Sequence, residues 1–330
     1  MSERCSVIIV MRDRFSTTQR TFECLEKNTP EAHDLIVVVG GAPPRVEKNY
    51  RKLFGRRAEL IFRPVFLNAN QARNIGLGAA KTRLAAFVDN DVSVRPGWLG
   101  ALLRCQAETG AAMVVPNMLE DEHKIHTAGN DLFVTHKNGR AYGRKHLRYY
   151  RILFFDSSNL KRTPTDYGEL HCQLIEVETA RRLGVYDENI HEVGEVDAGL
   201  TWAKAGCPMW FEPASVIVYE IPRRIIDVDD IRFYEWRWSA KNILPGYLYF
   251  QKKWGIDITD QGDFKTFLYS INAALGFLPR LWPSRPALFL DHRLADLGRL
   301  FFLPWRAARY VKMRRLGHGE WDKHFQSVVR

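Results

Sequence analysis

Asp89 and Asp91 flank Asn90 at the end of the strand-length run Arg83–Asp89, so two carboxylates stand one residue apart. Hard divalent cations take oxygen ligands, and Mg²⁺ is usually held by one or two carboxylates together with substrate phosphates. An Asp-x-Asp where a buried strand meets a polar edge suits such a cation and the diphosphate or ribose beside it. Standing alone, the triplet is common in turns. A second acidic group, Glu195 and Asp197, follows Gly194 at the head of a helical stretch. The helix dipole favours ionised carboxylates there, and a carboxylate within reach of a hydroxyl is a general base. By spacing alone, capping of the helix is the plainer reading of these two acids.

The elements that position them alternate. Ser6–Met11 and Leu35–Val39 are continuous apolar runs of strand length, as expected for a parallel sheet covered on both faces. Ser16 or Thr17 offers an N-cap to the helix that follows the first strand. A polar helix is predicted over 46–53, a short strand over Glu59–Arg63, a helix over Asn70–Ala80 and the strand Arg83–Asp89. Trp98–Thr109 reads as a helix closed by Gly110, and Ala112–Val115 as another strand. Strand–helix alternation of this kind predicts an α/β sheet. Ligands of such sheets bind outside the carboxyl ends of the strands. Asp89 and Asp91 lie at one such end, and Arg12 and Asp13 at another, so two strand ends converge on one crevice. Residues 117–170 read as mixed and turn-rich. A helix over 195–205 and strand-like runs over Trp210–Tyr219 follow.

The chain has 330 residues, 46% hydrophobic and 26% charged, which is globular and large enough for one sizeable core with an appendage. Its five cysteines show no Cys-x-x-Cys spacing, which argues against a zinc cluster and fits a reducing compartment. The opening residues pass straight into a strand rather than a signal peptide, and a cytoplasmic protein is expected. Of the net charge of +10, +8 falls in residues 264–330, where twelve Lys/Arg face four Asp/Glu. The rest is nearly neutral, so a nucleic-acid partner is not expected. The tail pairs Leu/Phe/Trp clusters with Arg and Lys. Two readings stay open for it: peripheral contact with an anionic membrane surface, on the inner face of the cell membrane, or a helical subdomain with a solvated basic rim. Phe267–Pro279 is uncharged but too short to span a bilayer.

The order of the motifs resembles family 2 glycosyltransferases. The opening Ser6–Arg14, Asn70–Gly76 followed by Ala86–Val92, Lys124–Gly129, Gly184–Glu188 with Gly194–Asp197 and Trp202–Gly206, and Phe250–Gly255 all match pieces of that family in sequence. The resemblance covers roughly residues 5–255. It implies an α/β GT-A fold, a Rossmann-like nucleotide-binding half and an acceptor half in one continuous mixed sheet, here with a helical C-terminal extension. The implied division is a GT-A domain over 1–222, an acceptor-side segment over 223–262 and a basic amphipathic helical region over 263–330.

The implied reaction is inverting, metal-dependent transfer of a sugar from a nucleotide-diphosphate sugar to a saccharide or lipid-linked hydroxyl acceptor, as in surface-polysaccharide or glycolipid assembly. Carried over residue by residue, Asp91 holds Mg²⁺ or Mn²⁺, and Asp89 contacts the ribose or donor sugar. Met11, Arg12, Asp13, Arg73 and Asn90 complete the donor site, with Arg12 and Asp13 flanking the base. Glu195 is the catalytic carboxylate, with Asp197 two residues on as a second catalytic candidate.

Three positions depart from the family pattern. Val37–Gly41 supplies no acid for a uracil base, which leaves the nucleotide open. Glu220 stands where a late histidine ligand often falls, and is taken as the second metal ligand. Thr201 replaces an arginine. These departures motivate the alternative of a non-catalytic nucleotide-sugar-binding or membrane scaffold protein on the same fold. His126, His171 and His191 lack metal-ligand spacing and are assigned ordinary structural or surface roles.

Overall fold

The computed structural model describes residues 4–120, 123–150, 159–220, 227–237 and 240–257. Strands and helices alternate first: β1 (Cys5–Val10), α1 (Thr18–Asn28), β2 (His33–Gly40), α2 (Pro44–Phe54), β3 (Glu59–Arg63), α3 (Ala69–Ala79) and β4 (Leu84–Asp89). Next come β5 (Val92–Val94), α4 (Trp98–Thr109), β6 (Met113–Glu120), β7 (Lys124–Thr127), β8 (Asn130–Lys137) and β9 (Arg140–Leu147). The remainder is β10 (Thr163–Pro164), β11 (Cys172–Glu176), α5 (Val177–Leu183), α6 (Gly194–Lys204), β12 (Met209–Tyr219), α7 (Ile231–Arg237), α8 (Ala240–Trp254) and β13 (Ile256–Asp257).

The main sheet has the order β10-β12-β6-β11-β4-β1-β2-β3, with β5 on β12 and β7 on β6. β1 to β4 are parallel. β11 lies antiparallel between β4 and β6, which makes the sheet mixed. Side chains alternate faces along a strand. Val7, Ile9, Val37, Val39, Ala86 and Val88 join the core with Phe22, Phe54 and Trp98 of α1, α2 and α4. Ile8, Val10, Ile36, Val38, Ala85 and Phe87 join the other core, with Leu77 of α3, Ala180 of α5 and Trp202 of α6. Both faces of the central strands are therefore apolar, which is why their sequences run hydrophobic without alternation.

Local signals set the element ends. Asn68 and Gln71 form a reciprocal capping box at the start of α3, with side-chain bonds of 2.8 and 3.0 Å. Gly110 ends α4 in the left-handed region, at φ 64°. The expected cap of α1 is not made: Thr17 forms no side-chain capping bond. The Ser16 hydroxyl instead donates to Asp230 Oδ2 at 2.5 Å, while Asp230 Oδ1 accepts the Phe15 and Ser16 amides at 2.6 and 3.2 Å. Phe233 of α7 stacks on Phe15 and Phe66, with centroids 5.0 and 5.3 Å apart. Residues 227–237 thus pack onto the first strand–helix units.

The stretch read as turn-rich contains an ordered hairpin. β8 and β9 pair antiparallel over eight residue pairs, closed by Asn138-Gly139 with φ of 51° and 73°. Two consecutive positive φ values at Asn-Gly are the preferred two-residue hairpin turn. β13 extends this sheet parallel to β9. A third apolar cluster joins it to α6 and α8 through Leu132, Val196, Ile243, Phe250 and Ile256. The basic C-terminal region expected over 263–330 lies outside the described residues. Among the described residues no helix is long and apolar enough to cross a membrane.

Candidate active site

β4 delivers Asp89 to the carboxyl edge of the sheet, beside the end of β1, where Val10 pairs with Asp89. The chain then turns through Asn90 and Asp91 into β5. All three residues of the triplet are buried, and each has a different environment.

Asp89 faces Arg73 and His171. Arg73 Nη2 donates to Asp89 Oδ1 and to the Leu170 carbonyl, both at 2.7 Å, from a side chain only 1% exposed. Arg73 is expected to line the nucleotide crevice. It is enclosed behind Asp89 instead, near the Phe87 and Tyr186 rings. Burial opposes ionisation of Asp89, but Arg73 and His171 outweigh it and hold the carboxyl below its ordinary value.

Asn90 serves the loop after β1. Its Oδ1 accepts the Arg12 amide at 3.0 Å, and its Nδ2 reaches the Arg14 carbonyl, Thr17 Oγ1 and Thr18 Oγ1 at 2.6, 3.1 and 2.9 Å. The middle residue of the triplet is thus a clamp on Arg12–Thr18. Met11 lies in the core, its Sδ accepting from the Thr18 hydroxyl, so its side chain is committed there. Asp13 is also buried and pairs with Arg14 at 3.3 Å.

Asp91 keeps an unsatisfied oxygen. Its Oδ1 is buried without a hydrogen-bond partner, and Oδ2 lies 3.7 Å from Arg12 Nη1. Burial raises its pKa to about 7; Arg12 opposes this, and Asp89 and Asp13 add to it.

His171 completes the cluster. Asp89, Asp91 and His171 each offer one ligand atom, and these atoms lie within 4.8 Å of one another. The structural role assigned to His171 from spacing is therefore corrected. Its carbonyl accepts the Asp89 amide at 2.8 Å, in the same ladder that pairs β11 with β4. Backbone pairing across 82 positions of sequence sets the ring beside the two acids, and no local spacing could announce it. Nδ1 lies 3.3 Å from Asp89 Oδ2 and 3.9 Å from Asp91 Oδ1. Burial and the Arg12 charge lower the imidazole pKa to about 3, so it is neutral at physiological pH.

Two acids and a neutral imidazole are a donor set suited to a divalent ion such as Mn²⁺ or Mg²⁺. The orphaned Asp91 Oδ1 fits the same ion, because a buried carboxylate oxygen without a partner is costly unless something else satisfies it.

Glu220, expected as the second ligand, is not in this group. Its amide donates to the Asp91 carbonyl at 2.9 Å, but its carboxylate turns to Ser93 Oγ at 2.8 Å and Arg20 Nη2 at 2.6 Å. Arg12, expected to flank the base, has its guanidinium against the acidic cluster. Its Nη1 is 2.9 Å from both ring nitrogens of His171, and its guanidinium is 5.0 Å from the centre of the Tyr219 ring.

The second acidic pair divides sharply. Both residues stand in the first turn of α6, preceded by Val193 in the left-handed region at φ 59°. Glu195 Oε1 accepts from Lys145 Nζ of β9 at 3.0 Å. Burial raises the Glu195 pKa, but Lys145, a backbone hydrogen bond and His171 outweigh it, leaving the carboxyl below its ordinary value. Tyr167 is wholly buried, with a hydroxyl that has no hydrogen-bond partner and is acted on by the charges of Lys145 and Glu195. Asp197 is also wholly buried. Its Oδ1 accepts Trp254 Nε1 at 2.7 Å, and Lys253 Nζ lies 2.8 Å from Oδ1 and 3.1 Å from Oδ2. Both Asp197 oxygens are engaged by α8, which leaves no face toward a substrate.

A mixed sheet with paired acids at its carboxyl edge is the GT-A arrangement, and comparison with known proteins agrees. The family model Glycosyl transferase family 2 matches residues 6–178, more than half of the chain, which therefore belongs to that family. Two curated relatives, the pre-mycofactocin glycosyltransferases of Mycobacterium tuberculosis strains CDC 1551 / Oshkosh and ATCC 25618 / H37Rv, are each 24% identical over 165 residues. Those matches cover 49% of this chain and 32% of each relative, so the chain spans about a third of their length. The crystal structure of GalNAc-T7 with UDP, GalNAc and Mn²⁺ shares the fold at a TM-score of 0.52 and 16% identity, over 82% of this chain and 56% of that one.

Proposed function

We propose that this chain transfers a sugar, with inversion, from a nucleotide-diphosphate sugar to a hydroxyl of a saccharide or lipid-linked acceptor. The observation that carries this reading is the Asp89–Asp91–His171 cluster, with its unpartnered Asp91 oxygen, at the edge where parallel sheets bind ligands. Membership of the family supports it. So does the fold shared with a structure that holds UDP, GalNAc and Mn²⁺.

Asp89, Asp91 and His171 would hold the divalent ion. When bound, that ion offsets the charge that develops on the diphosphate leaving group. Glu195 takes the proton of the acceptor hydroxyl. Lys145 favours its charged form, so the base is ionised before the acceptor arrives. Approach of the hydroxyl from the face opposite the diphosphate produces inversion. Arg73 keeps Asp89 ionised and in place from behind, and Asn90 fixes the loop that carries Arg12 and Asp13. Retention of carboxylates in both acidic motifs favours catalysis over the non-catalytic alternative that Val37–Gly41, Thr201 and Glu220 motivate.

The test is calorimetric titration with UDP, GDP and dTDP, with and without Mn²⁺, followed by a transfer assay on the matching donors. Metal-dependent binding of at least one nucleotide is expected. Asp91→Asn should remove the metal dependence. Glu195→Gln should bind as the wild type does and turn over roughly 10²–10⁴-fold more slowly. If no nucleotide binds, the reading is lost; if Glu195→Gln turns over fully, the assigned base is wrong. The charge of residues 264–330 suits an anionic membrane surface, which would place a lipid-linked acceptor nearby. The full chain should then sediment with phosphatidylglycerol vesicles but not phosphatidylcholine vesicles, and added salt should release it.

A further inference from the structure

The Arg12 guanidinium stands within the cluster that would hold the metal. Nη1 is 2.9 Å from both His171 ring nitrogens and 3.7 Å from Asp91 Oδ2. An imidazole ring has at most one acceptor nitrogen, and Arg12 lies against it. The arginine is not displaced there by chance: Asn90 clamps its backbone amide, and the Tyr219 ring lies 5.0 Å from its guanidinium. With Arg73 balancing Asp89 and Arg12 balancing Asp91, both acids of the triplet already have a cation.

We infer that Arg12 is a resident counter-cation that holds the divalent-metal position until a nucleoside diphosphate arrives. The inference rests on the reading of the cluster as a metal–diphosphate site. A divalent ion entering alone must displace a cation from Asp91 and His171, or share a buried site with it, and like charges at such separations repel strongly in a low-dielectric crevice. A diphosphate brings the opposite charge. Its oxygens are ready acceptors for a guanidinium, which binds phosphate bidentately. Arg12 can then exchange His171 and Asp91 for phosphate, releasing both to the ion. Metal and nucleotide therefore bind as a coupled pair, and the metal binds poorly without the nucleotide. Such coupling keeps the site from filling with metal in the absence of donor.

The test measures Mn²⁺ binding by electron paramagnetic resonance of the unbound ion, with no turnover involved. The wild-type chain should bind Mn²⁺ weakly by itself. Arg12→Gln should bind Mn²⁺ alone about tenfold tighter or more, a change of about 1.4 kcal/mol. Arg12→Lys, which retains the charge, should stay near the wild type. Arg12→Met keeps the aliphatic stem against Tyr219 and gives a second neutral variant should the glutamine fail to fold. Folding is checked by circular dichroism. Neutral variants that bind Mn²⁺ alone no tighter than the wild type overturn the inference. That result is distinct from failure of the donor reading, which would appear as no nucleoside diphosphate binding to the wild type under any metal condition.

Discussion

Lys145 Nζ lies 3.0 Å from Glu195 Oε1, and this ion pair joins the hairpin sheet to the first turn of α6. Both side chains are largely buried, at 17% and 14% exposure, so the pair is shielded from the screening that weakens surface ion pairs. The groups that hold the Glu195 carboxylate come from two directions: Lys145 on β9 and His171 at the entry to β11.

The pair predicts a pH effect. Lys145 favours the carboxylate, so its removal raises the Glu195 pKa. The proposed base must be ionised to accept a proton, so activity is expected to fall as pH drops through that pKa. Lys145→Met should therefore move the acidic limb of the kcat/KM profile to higher pH, and Lys145→Arg should restore it. An unchanged profile in Lys145→Met would show that the pair does not tune the base.

Asp197 should matter to stability rather than to chemistry. Replacing it with Ala leaves Trp254 Nε1 without its acceptor and Lys253 with only Asp187. Breaking a buried pair of this kind costs about 3–5 kcal/mol. Urea unfolding should show that loss, while the folded fraction should bind nucleotide as the wild type does.

Gly199 sets how closely α6 approaches the backbone beneath it. A Cβ there would lie 2.6 Å from the Asp166 carbonyl oxygen and 2.5 Å from Tyr167 Cβ. Neither backbone nor β-carbon can swing aside. Gly199→Ala should destabilise by about 1–3 kcal/mol, read as a lower Tm. It should also lower kcat more than nucleotide affinity, because the displaced helix carries Glu195.

Asn90→Ala should loosen the loop after β1. It removes the acceptor of the Arg12 amide and the donor to the Arg14 carbonyl, each costing about 1–3 kcal/mol if left unsatisfied. Faster amide exchange at residues 12–18, with little change in β4, is the expected result from hydrogen-exchange mass spectrometry.

Much of the frame was legible in the residues. The runs Ser6–Met11, Leu35–Val39 and Arg83–Asp89 predict β1, β2 and β4 within a residue or two, because a strand buried on both faces leaves an unbroken apolar signature. Gly110 marks the end of α4 for the equally local reason that a left-handed residue is needed there. The hairpin was missed although Asn138-Gly139 announced its turn. Its strands are polar and half-exposed, with no apolar alternation to draw attention to them.

The acids were therefore set by sequence: Asp89 and Asp91 at a strand end, Glu195 and Asp197 at a helix start. Their roles were decided only by tertiary structure. His171 reaches the first pair through antiparallel pairing of β11 with β4, Glu220 turns away to Arg20 and Ser93, and Arg12 faces inward to the cluster. Glu195 and Asp197 sit two residues apart on one helix, about 200° around its axis at 3.6 residues per turn. One thus meets Lys145 in the crevice while the other is enclosed by α8. Sequence fixes which groups are near one another along the chain. Which of them share a site depends on strand pairing and helix rotation, which bring distant residues together and send neighbours apart.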